Sequence, residues 1–380
     1  MSVDESLGSL WAVRSLHAWG YETWIAVSRP DTYAEGSRAA AGAVHVRDAM
    51  ADVEGHARDL AAAAETLPVA AVLPGTEASL RSVTGRERLF PPRVKVGTAP
   101  AEAHERATDK RLLAGLARDA GLETPETAEV VADDADRPRI ALPAMVKAVR
   151  SVDGAPGKAL RPGEARRVET IAELRAALTE APDGEARLVQ PWIDGTLAAI
   201  CGVAWGGEVV CAVHQRSPRI WPPQRGISAY AVTVPRDSDR ESAVARLVRS
   251  IGWSGIFGTQ FILAGEHAYL IDFNPRVYGS IGLATAAGLN LPAIWVELLL
   301  GRTVSPPPYR PGVHYRVEED DFRALWSRFR EGHRAEALLG LAPRRRTVHG
   351  VGSLRDPAPL LVTGRKLTEA LRAAFRRGGG

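Results

Sequence analysis

Hydrophobic residues along the first 100 positions fall in short blocks that alternate between a helical and a strand period. The pattern predicts helices over residues 7–19 and 53–66, and strands over residues 22–27, 43–46 and 69–73. Alternating strands and helices are typical of a parallel sheet with helices on its faces. Such a unit ordinarily begins with a strand. No strand pattern precedes residue 7, so the first strand is expected to be missing.

Beyond residue 100 the blocks become less regular, and strands follow one another directly. Helices are predicted over residues 108–120, 170–178, 237–250, 283–287, 292–300, 321–330 and 367–377. Strands are predicted over residues 143–149, 187–193, 200–205, 208–214, 228–234, 258–263 and 269–274. Pro306-Pro307-Pro308 is the clearest linker.

The motif Asp272-Phe273-Asn274-Pro275-Arg276 carries the strongest chemical signal. Strand alternation predicts two faces, with Leu270, Asp272 and Asn274 on one and Tyr269, Ile271 and Phe273 on the other. Carboxylate and amide oxygens suit Mg²⁺, and the arginine that follows suits phosphate oxygens.

Residues 258–263 form a second predicted strand, joined to the first by a short connection. A hairpin centred near Glu266 would place Gln260 opposite Asp272 and add a third oxygen ligand. The alternative is an ordinary hairpin that ends in a turn with a surface arginine. The pairing of acid and amides on one face favours the metal and phosphate interpretation.

Three further segments are candidates for a phosphate or base site. Lys147 is a lone lysine in an apolar strand, where it either meets an anion or extends its ammonium to solvent. Residues 153–158 contain Gly154 and Gly157 and could form a loop over phosphates. The segment around Gln190, Trp192 and Ile193 either lines a base or forms a plain core strand.

Composition narrows the class of protein. The 380 residues are enough for two or three domains, and 45% hydrophobic and 24% charged residues are typical of a globular protein. Neither a signal peptide nor a run of 18 apolar residues is evident, and Cys201 and Cys211 are expected to be reduced, so we expect a cytoplasmic protein without membrane partners. The region from Arg310 onward carries 15 Lys and Arg against 8 Asp and Glu, which fits a solvated surface better than nucleic-acid binding.

In their order along the chain, these segments resemble the ATP-grasp superfamily, and most closely its carbamoyl-phosphate-synthase-like, predicted carboxylate–amine ligases. The resemblance covers about residues 100–305. It implies an α/β protein with an N-terminal parallel-sheet domain (1–100) and an ATP-grasp domain of two α+β subdomains (101–305), of which the lid spans about 140–195. Residues 306–380 would then be a basic C-terminal extension.

The resemblance also implies roles for individual residues. Lys110, Lys147 and the glycines Gly154 and Gly157 would hold ATP phosphates, and Gln190, Trp192 and Ile193 would contact adenine. The Mg²⁺ ligands, with Mn²⁺ as an alternative metal, would be Gln260, Asp272 and Asn274, while Arg276 would stabilise the transferring phosphoryl group. This sequence departs from the family pattern at Asp272, at the neutral Gln260, and at Leu197, where relatives often have a ribose-binding glutamate.

The function implied is ligation of a small-molecule carboxylate to an amine through an acyl phosphate. A nucleotide-binding regulatory or scaffold protein with a degenerate site is the alternative that Leu197 suggests. Arg216, Arg219 and Arg225 are candidates to hold the substrate carboxylate, because arginine binds carboxylates through two parallel hydrogen bonds. A solvated loop explains these arginines equally well. A homodimer is a candidate assembly.

Overall fold

The computed structural model describes residues 2–3, 6–30, 32–132, 140–154, 159–181, 184–223, 226–342 and 344–364. The N-terminal part forms a parallel five-stranded sheet in the order β3-β2-β1-β4-β5. Its strands are β1 (Ser2–Val3), β2 (Thr23–Val27), β3 (Ala40–His45), β4 (Ala71–Pro74) and β5 (Lys95–Val96). The expectation that the first strand is missing is therefore wrong. Strand β1 consists of two residues, which pair with β2 on one side and with β4 on the other. A strand of two residues is too short for the alternation of apolar and polar positions to be visible in the sequence.

Helices cover both faces of this sheet. They are α1 (Leu7–Ala18), α2 (Val53–Thr66) and α3 (Glu77–Val83), with a short 3-10 helix at Glu87–Leu89. Leu10 and Val13 of α1 pack on Ile25 and Val27 from one side, whereas Leu60 of α2 belongs to the apolar cluster on the other. The predicted helices at 7–19 and 53–66 are confirmed within one residue.

The middle of the chain forms a four-stranded antiparallel sheet in the order β10-β7-β11-β6 and a separate hairpin, β8–β9. Helices α4 (Ala101–Thr108) and α5 (Lys110–Asp119) precede these strands, and α6 packs on the four-stranded sheet. The elements are β6 (Ala128–Val130), β7 (Ala144–Lys147), β8 (Val152–Asp153), β9 (Arg161–Pro162), β10 (Ala165–Val168), α6 (Ile171–Thr179) and β11 (Arg187–Pro191).

The third sheet has seven strands in the order β16-β15-β12-β13-β14-β17-β18. Helices α4, α5 and α7 pack on one face, and α8 and α9 pack on the other. Its elements are β12 (Thr196–Trp205), β13 (Glu208–Trp221), β14 (Ile227–Thr233), α7 (Ser238–Ile251), β15 (Gly255–Ala264), β16 (His267–Asn274), α8 (Ile281–Ala287), α9 (Leu291–Leu299), β17 (His314–Arg316), α10 (Glu318–Arg330), α11 (Arg334–Leu341) and β18 (Thr347–His349).

The α/β fold class is confirmed, but two predicted boundaries need correction. The four-stranded sheet begins with β6, before residue 140, and the seven-stranded sheet continues beyond residue 305 through β17 and β18. Three-residue strands are too short for alternation to be visible in the sequence. The segment predicted as a C-terminal extension therefore contributes strands to the large sheet. The predicted helix at 367–377 lies outside the described residues.

A buried ion pair joins the two ends of the described chain. Arg14 Nε of α1 donates to Asp356 Oδ2 over 2.8 Å, and that carboxylate also accepts hydrogen bonds from Ser37 Oγ and the Arg38 main-chain N–H. Trp11 Nε1 donates to the carbonyl of Gly350 nearby. Segment 350–356 is thus fixed against the N-terminal sheet by polar contacts that exclude most solvent.

Within the described residues, no single helix has the length and apolarity needed to cross a membrane. The pair α8 and α9 passes that test only when taken together, and the two helices are bent by 92° at their junction.

Candidate functional site

A cavity of about 700 Å³ lies between the four-stranded and the seven-stranded sheets. Strands β7, β10 and β11 line it from one side, and β12, β15 and β16 line it from the other. Seven of the residues singled out in the sequence line it together: Lys110, Lys147, Gln190, Trp192, Ile193, Gln260 and Asp272. Residues from distant parts of the chain therefore converge on one concave site.

The β15–β16 hairpin has the predicted register. Gln260 pairs with Asp272, and the strands are joined by the two-residue turn Gly265-Glu266 between the pair Ala264 and His267. Gly265 has a φ of +60°, a backbone conformation that glycine adopts without steric cost. The predicted placement of Gln260 opposite Asp272 is confirmed.

The predicted alternation along β16 fails at one point, because a β-bulge interrupts the ladder at Ile271. Gln260 faces Asp272 while the next residue, Phe261, faces Leu270, so Ile271 is the extra residue. Leu270 and Phe273 are consequently both buried in the apolar cluster under α5 and α7, whereas Ile271 and Asp272 both line the cavity. The expectation that Leu270 shares a face with Asp272 is wrong. The Leu270 N–H bonds to the carbonyl of Glu123 at this position, outside the hairpin.

Lys110 and Asp272 form the charged end of the cavity. Lys110 Nζ lies 3.2 Å from Asp272 Oδ1 and 3.0 Å from Ser151 Oγ. The lysine is the first residue of α5, whose N-cap Asp109 bonds to Arg150, and its main-chain N–H donates to the carbonyl of Val149. Helix α5 and the segment that follows β7 are thereby held together at this point.

Lys147 ends β7 and contributes a second cation. Burial lowers the pKa of its ammonium to about 8, although the Asp272 carboxylate opposes this shift and Lys110 adds to it. A lysine that is deprived of water is stabilised by an incoming anion more strongly than an exposed one, because the interaction is less screened. Lys147 lines the cavity, and its role in binding an anion stays a prediction.

The opposite end of the cavity is formed by β11 and the residues after it. The main-chain N–H of Trp192 donates to the carbonyl of Pro143, and the guanidinium of Arg167 lies 4.4 Å from the centroid of the indole ring. Gln190 Nε2 donates to Thr127 Oγ1 over 3.0 Å. Leu197, which is buried, also lines the cavity. The indole of Trp192, with Arg167 over one face, therefore lies in the cavity where the resemblance implies adenine.

Comparison with known proteins gives the same picture. A family model described as an ATP-grasp in the biosynthetic pathway with Ter operon matches residues 183–320. The carbamoyl phosphate synthase large chain of Rubrobacter xylanophilus is 25% identical in an alignment of 304 positions that covers 71% of this chain and 26% of that protein. The match therefore spans only about a quarter of the length of this curated relative.

Solved structures extend the likeness to most of the chain. The L-amino acid ligase from Bacillus licheniformis superposes with a TM-score of 0.60 at 16% identity, over 82% of this chain and 77% of that one. N5-carboxyaminoimidazole synthetase from Staphylococcus aureus complexed with ADP gives a TM-score of 0.60 at 13% identity, over 80% and 78%. The chain has the ATP-grasp fold. The resemblance inferred from the sequence is confirmed at this level.

Asn274 and Arg276 lie just beyond the charged end of the ATP-grasp cavity. Asn274 pairs with Gly258, two residues along the hairpin from the pair of Gln260 and Asp272. Arg276 Nη2 donates to Asn274 Oδ1 over 3.2 Å, and Nη1 donates to the carbonyl of Val277. Both residues border the cavity without lining it, and their roles stay predictions.

The chemistry of the donor set fits Mg²⁺ or Mn²⁺. Gln260, Asp272 and Asn274 offer only amide and carboxylate oxygens, which are the ligands that these hard cations prefer. Among the described residues, no three or more His, Cys, Asp and Glu side chains cluster as a metal site. A metal here would therefore depend on these oxygens together with substrate phosphates, as Mg²⁺ commonly does.

Of the candidate substrate arginines, the two that the structure describes, Arg216 and Arg219, do not line the central cavity. Arg216 is exposed and lines a separate cavity of about 320 Å³. Arg219 binds the buried carboxylate of Asp321 on α10 through Nε and Nη2, and Arg316 Nε lies 2.8 Å from the same carboxylate. The prediction that Arg219 holds substrate is corrected, because its guanidinium anchors α10 to β13. Both residues lie on β13, so for these two arginines the solvated-loop alternative is wrong.

The predicted glycine loop is described only in part. Gly154 follows β8, does not line the cavity, and has its carbonyl bonded to Arg81 Nη2. Gly157 and Arg225, both candidate site residues, lie outside the described residues.

Sequence reasoning missed two contributions to the site. Glu77, the first residue of α3, is buried close to the charged end: burial raises the pKa of its carboxyl, the nearby Asp272 adds to that rise, and Lys110 and Arg276 oppose it. The only sequence signal was its position just after a buried strand. Glu331, which follows α10, lines the cavity together with Ile220 and Pro223. No local pattern could have assigned a residue so far along the chain to this site.

Proposed function

We propose that this chain is an ATP- and Mg²⁺-dependent ligase that joins a small-molecule carboxylate to an amine. One observation carries the proposal. A single cavity is lined both by Trp192, Ile193 and Leu197 and by the Lys110–Asp272 pair with Lys147 and Gln260. A nucleotide requires both kinds of lining, because its base is flat and largely apolar and its phosphates are anionic.

The position of each side chain determines its proposed role. Lys110 and Lys147 would hold phosphate oxygens, and Arg276 would move from its bond with Asn274 to the transferring phosphoryl group. Gln260, Asp272 and Asn274 would hold Mg²⁺. When bound, the metal would neutralise charge on the phosphates.

The proposed reaction has two steps. A carboxylate oxygen of the acid attacks the γ-phosphorus of ATP, the bond from phosphorus to the β–γ bridging oxygen breaks, and ADP leaves with the electron pair. The amine then attacks the acyl carbon, inorganic phosphate leaves, and the nitrogen loses a proton. The protein supplies orientation and charge, so a protein nucleophile is not required.

The relatives suggest which substrates to test first. An L-amino acid ligase is among the structures that share the fold, so amino acids are the first carboxylates of choice. Purified protein with MgATP would be mixed with a panel of amino acids and dicarboxylic acids, with hydroxylamine as the amine. We expect at least one acid to stimulate ADP release and to form an equal amount of acyl hydroxamate.

Two variants and a control test the site itself. Asn274→Ala and Arg276→Ala should lose acid-stimulated ADP release, whereas Glu65→Gln, an exposed acid on α2, should retain it. Equal turnover in the wild type and in both alanine variants would show that the site assignment is wrong.

A nucleotide-binding regulatory or scaffold protein is the second candidate. Two observations favour it: Asp272 is the one carboxylate in the proposed metal set, with Lys110 already beside it, and Leu197 gives the middle of the cavity an apolar wall. Calorimetric binding of MgADP without acid-stimulated turnover across the whole panel would support this candidate over the ligase.

A further inference from the structure

Helix α3, which packs on the N-terminal sheet, contacts the main chain of the segment that follows β7. Burial raises the pKa of the Glu77 carboxyl, and the neighbouring main-chain N–H of Val152 opposes that rise. One helical turn later, Arg81 Nη1 donates to the carbonyl of the same residue over 3.3 Å, and Nη2 donates to the carbonyl of Gly154 over 2.7 Å. Residues four apart share a helix face, so Glu77 and Arg81 both lie against the main chain of Val152, and Arg81 binds its carbonyl.

Apolar and main-chain contacts hold the neighbouring strand in the same place. Leu160, which precedes β9, packs with Ala49 and Ala78 in a small buried cluster. Its main-chain N–H donates to the carbonyl of Met50 over 2.6 Å. Both strands of the β8–β9 hairpin are therefore anchored to the N-terminal sheet at their base.

The clamped residue is adjacent to the charged end of the cavity. Ser151, which precedes Val152, accepts a hydrogen bond from Lys110 Nζ, and the same ammonium lies beside Asp272. A continuous chain of contacts thus runs from α3 through Val152 and Ser151 to Lys110. Displacement of Val152 would remove the hydroxyl that orients this ammonium.

We propose that Glu77 and Arg81 are positioning residues that fix Ser151 and Lys110 for phosphate binding, so that the N-terminal sheet organises the phosphate end of the cavity. The inference rests on the proposed nucleotide site. It adds that α3, which belongs to neither of the two sheets that line the cavity, influences the position of the phosphate-binding residues.

Amide hydrogen exchange tests the clamp without any need for turnover. In Glu77→Ala and Arg81→Ala, peptides that cover residues 148–154 should exchange faster than in the wild type, while a peptide within β12 should not change. In Glu77→Gln the amide oxygen still accepts the Val152 N–H, so exchange there should stay close to that of the wild type. Arg81→Lys reaches one carbonyl rather than two and should be intermediate.

MgADP calorimetry on the same variants links the clamp to the site. We expect Arg81→Ala to bind MgADP about tenfold more weakly, the effect of losing one or two hydrogen bonds that orient a ligand-binding group. Arg81→Lys should recover part of this loss. Arg58→Ala, which breaks an exposed pair with Glu54 on α2 of the same sheet, should bind like the wild type.

Unchanged exchange over 148–154 in both alanine variants would overturn the proposal, as would faster exchange with undiminished MgADP affinity. Faster exchange in β12 as well would indicate that the alanine variants are generally destabilised. The test then passes to Glu77→Gln and Arg81→Lys, and the proposal fails if exchange over 148–154 in these variants does not follow the order given above. A protein that binds MgADP but never turns over would refute the ligase function and leave this inference standing.

Discussion

The ammonium of Lys110 lies 3.2 Å from the carboxylate of Asp272, although one residue begins a helix and the other lies near the end of a strand much later in the chain. This pair joins the predicted phosphate-binding and metal-binding residues in one corner of the cavity. The two side chains hold each other in place, and each is expected to change partner when MgATP binds.

Asp272→Asn removes the charge of the metal set and keeps its shape. We expect the Mg²⁺ concentration needed for half-maximal ADP affinity to rise and acid-stimulated turnover to fall by about a hundredfold or more, a typical loss when a charged group that stabilises the transition state is removed. Mg²⁺ titrations monitored by calorimetry and ADP release measure the two effects. Glu65→Gln serves as the exposed control, and a variant with unchanged Mg²⁺ dependence would exclude Asp272 as a ligand.

Nucleotide affinity should depend on pH through Lys147. Burial lowers the pKa of this ammonium to about 8, and a bound polyphosphate favours the protonated form, so binding takes up a proton above that pH. MgADP affinity should therefore fall as the pH rises from 7 to 9.5, approaching about tenfold per pH unit above the pKa. Lys147→Met should bind weakly with a flatter profile.

The exposed Lys95→Met is the matched control for this profile and should behave like the wild type. The unliganded protein should change in the opposite sense. Because the native pKa lies below the unfolded value of 10.5, stability should increase as the pH rises from about 8 towards 10, and Lys147→Met should abolish that increase.

The β-bulge at Ile271 gives Leu270 and Ile271 different surroundings, so their truncation should affect stability to different extents. Leu270→Ala should lower the free energy of unfolding by about 2–5 kcal/mol, since it removes a fully packed side chain from the core. Ile271→Ala should cost much less, because this side chain lines the cavity. Urea denaturation of both variants decides the matter: a larger cost at Ile271 would contradict the observed register.

The buried pair of Arg14 and Asp356 should contribute strongly to stability. Asp356→Asn leaves the guanidinium without its charge partner, and we expect a loss of about 3–5 kcal/mol. The exposed pair of Arg249 and Glu208 is the control, and Glu208→Gln should leave the free energy of unfolding almost unchanged. Equal effects of the two substitutions in urea denaturation would show that burial of the Asp356 pair adds nothing.

The stabilisation by the Arg14–Asp356 pair should also be lost at low pH. Burial alone would raise the pKa of Asp356, but Ser37, the Arg38 N–H and Arg14 together hold it below its ordinary value. The stabilisation is therefore present above about pH 4 and is lost as the pH falls through the lower native pKa. Asp356→Asn should remove this part of the acid transition.

The sequence predicted those features of the site that depend on local pattern. Gln260 faces Asp272 because two alternating strands are joined by a two-residue turn, and both properties can be read from neighbouring residues. The bulge at Ile271 could not be predicted in this way, because the Leu270 N–H bonds to Glu123, a residue outside the hairpin.

Tertiary partners account for the other differences. Arg219 was a candidate substrate ligand because no residue near it in the sequence indicates its ion pair with Asp321, which lies on α10. Glu77 was not singled out in the sequence, because its contact with Val152 exists only once the fold brings that residue against α3.

The contacts of Arg14 and Trp11 with segment 350–356 also set an order of events during synthesis. Helix α1 leaves the ribosome first, yet its polar partners are made only when residue 356 has been translated. Until then Arg14 has no carboxylate to neutralise it, and the N-terminal sheet cannot reach its final stability. A chain truncated before residue 350 should consequently fold inefficiently and be degraded readily by cellular proteases, even though it would contain every residue of the proposed nucleotide site.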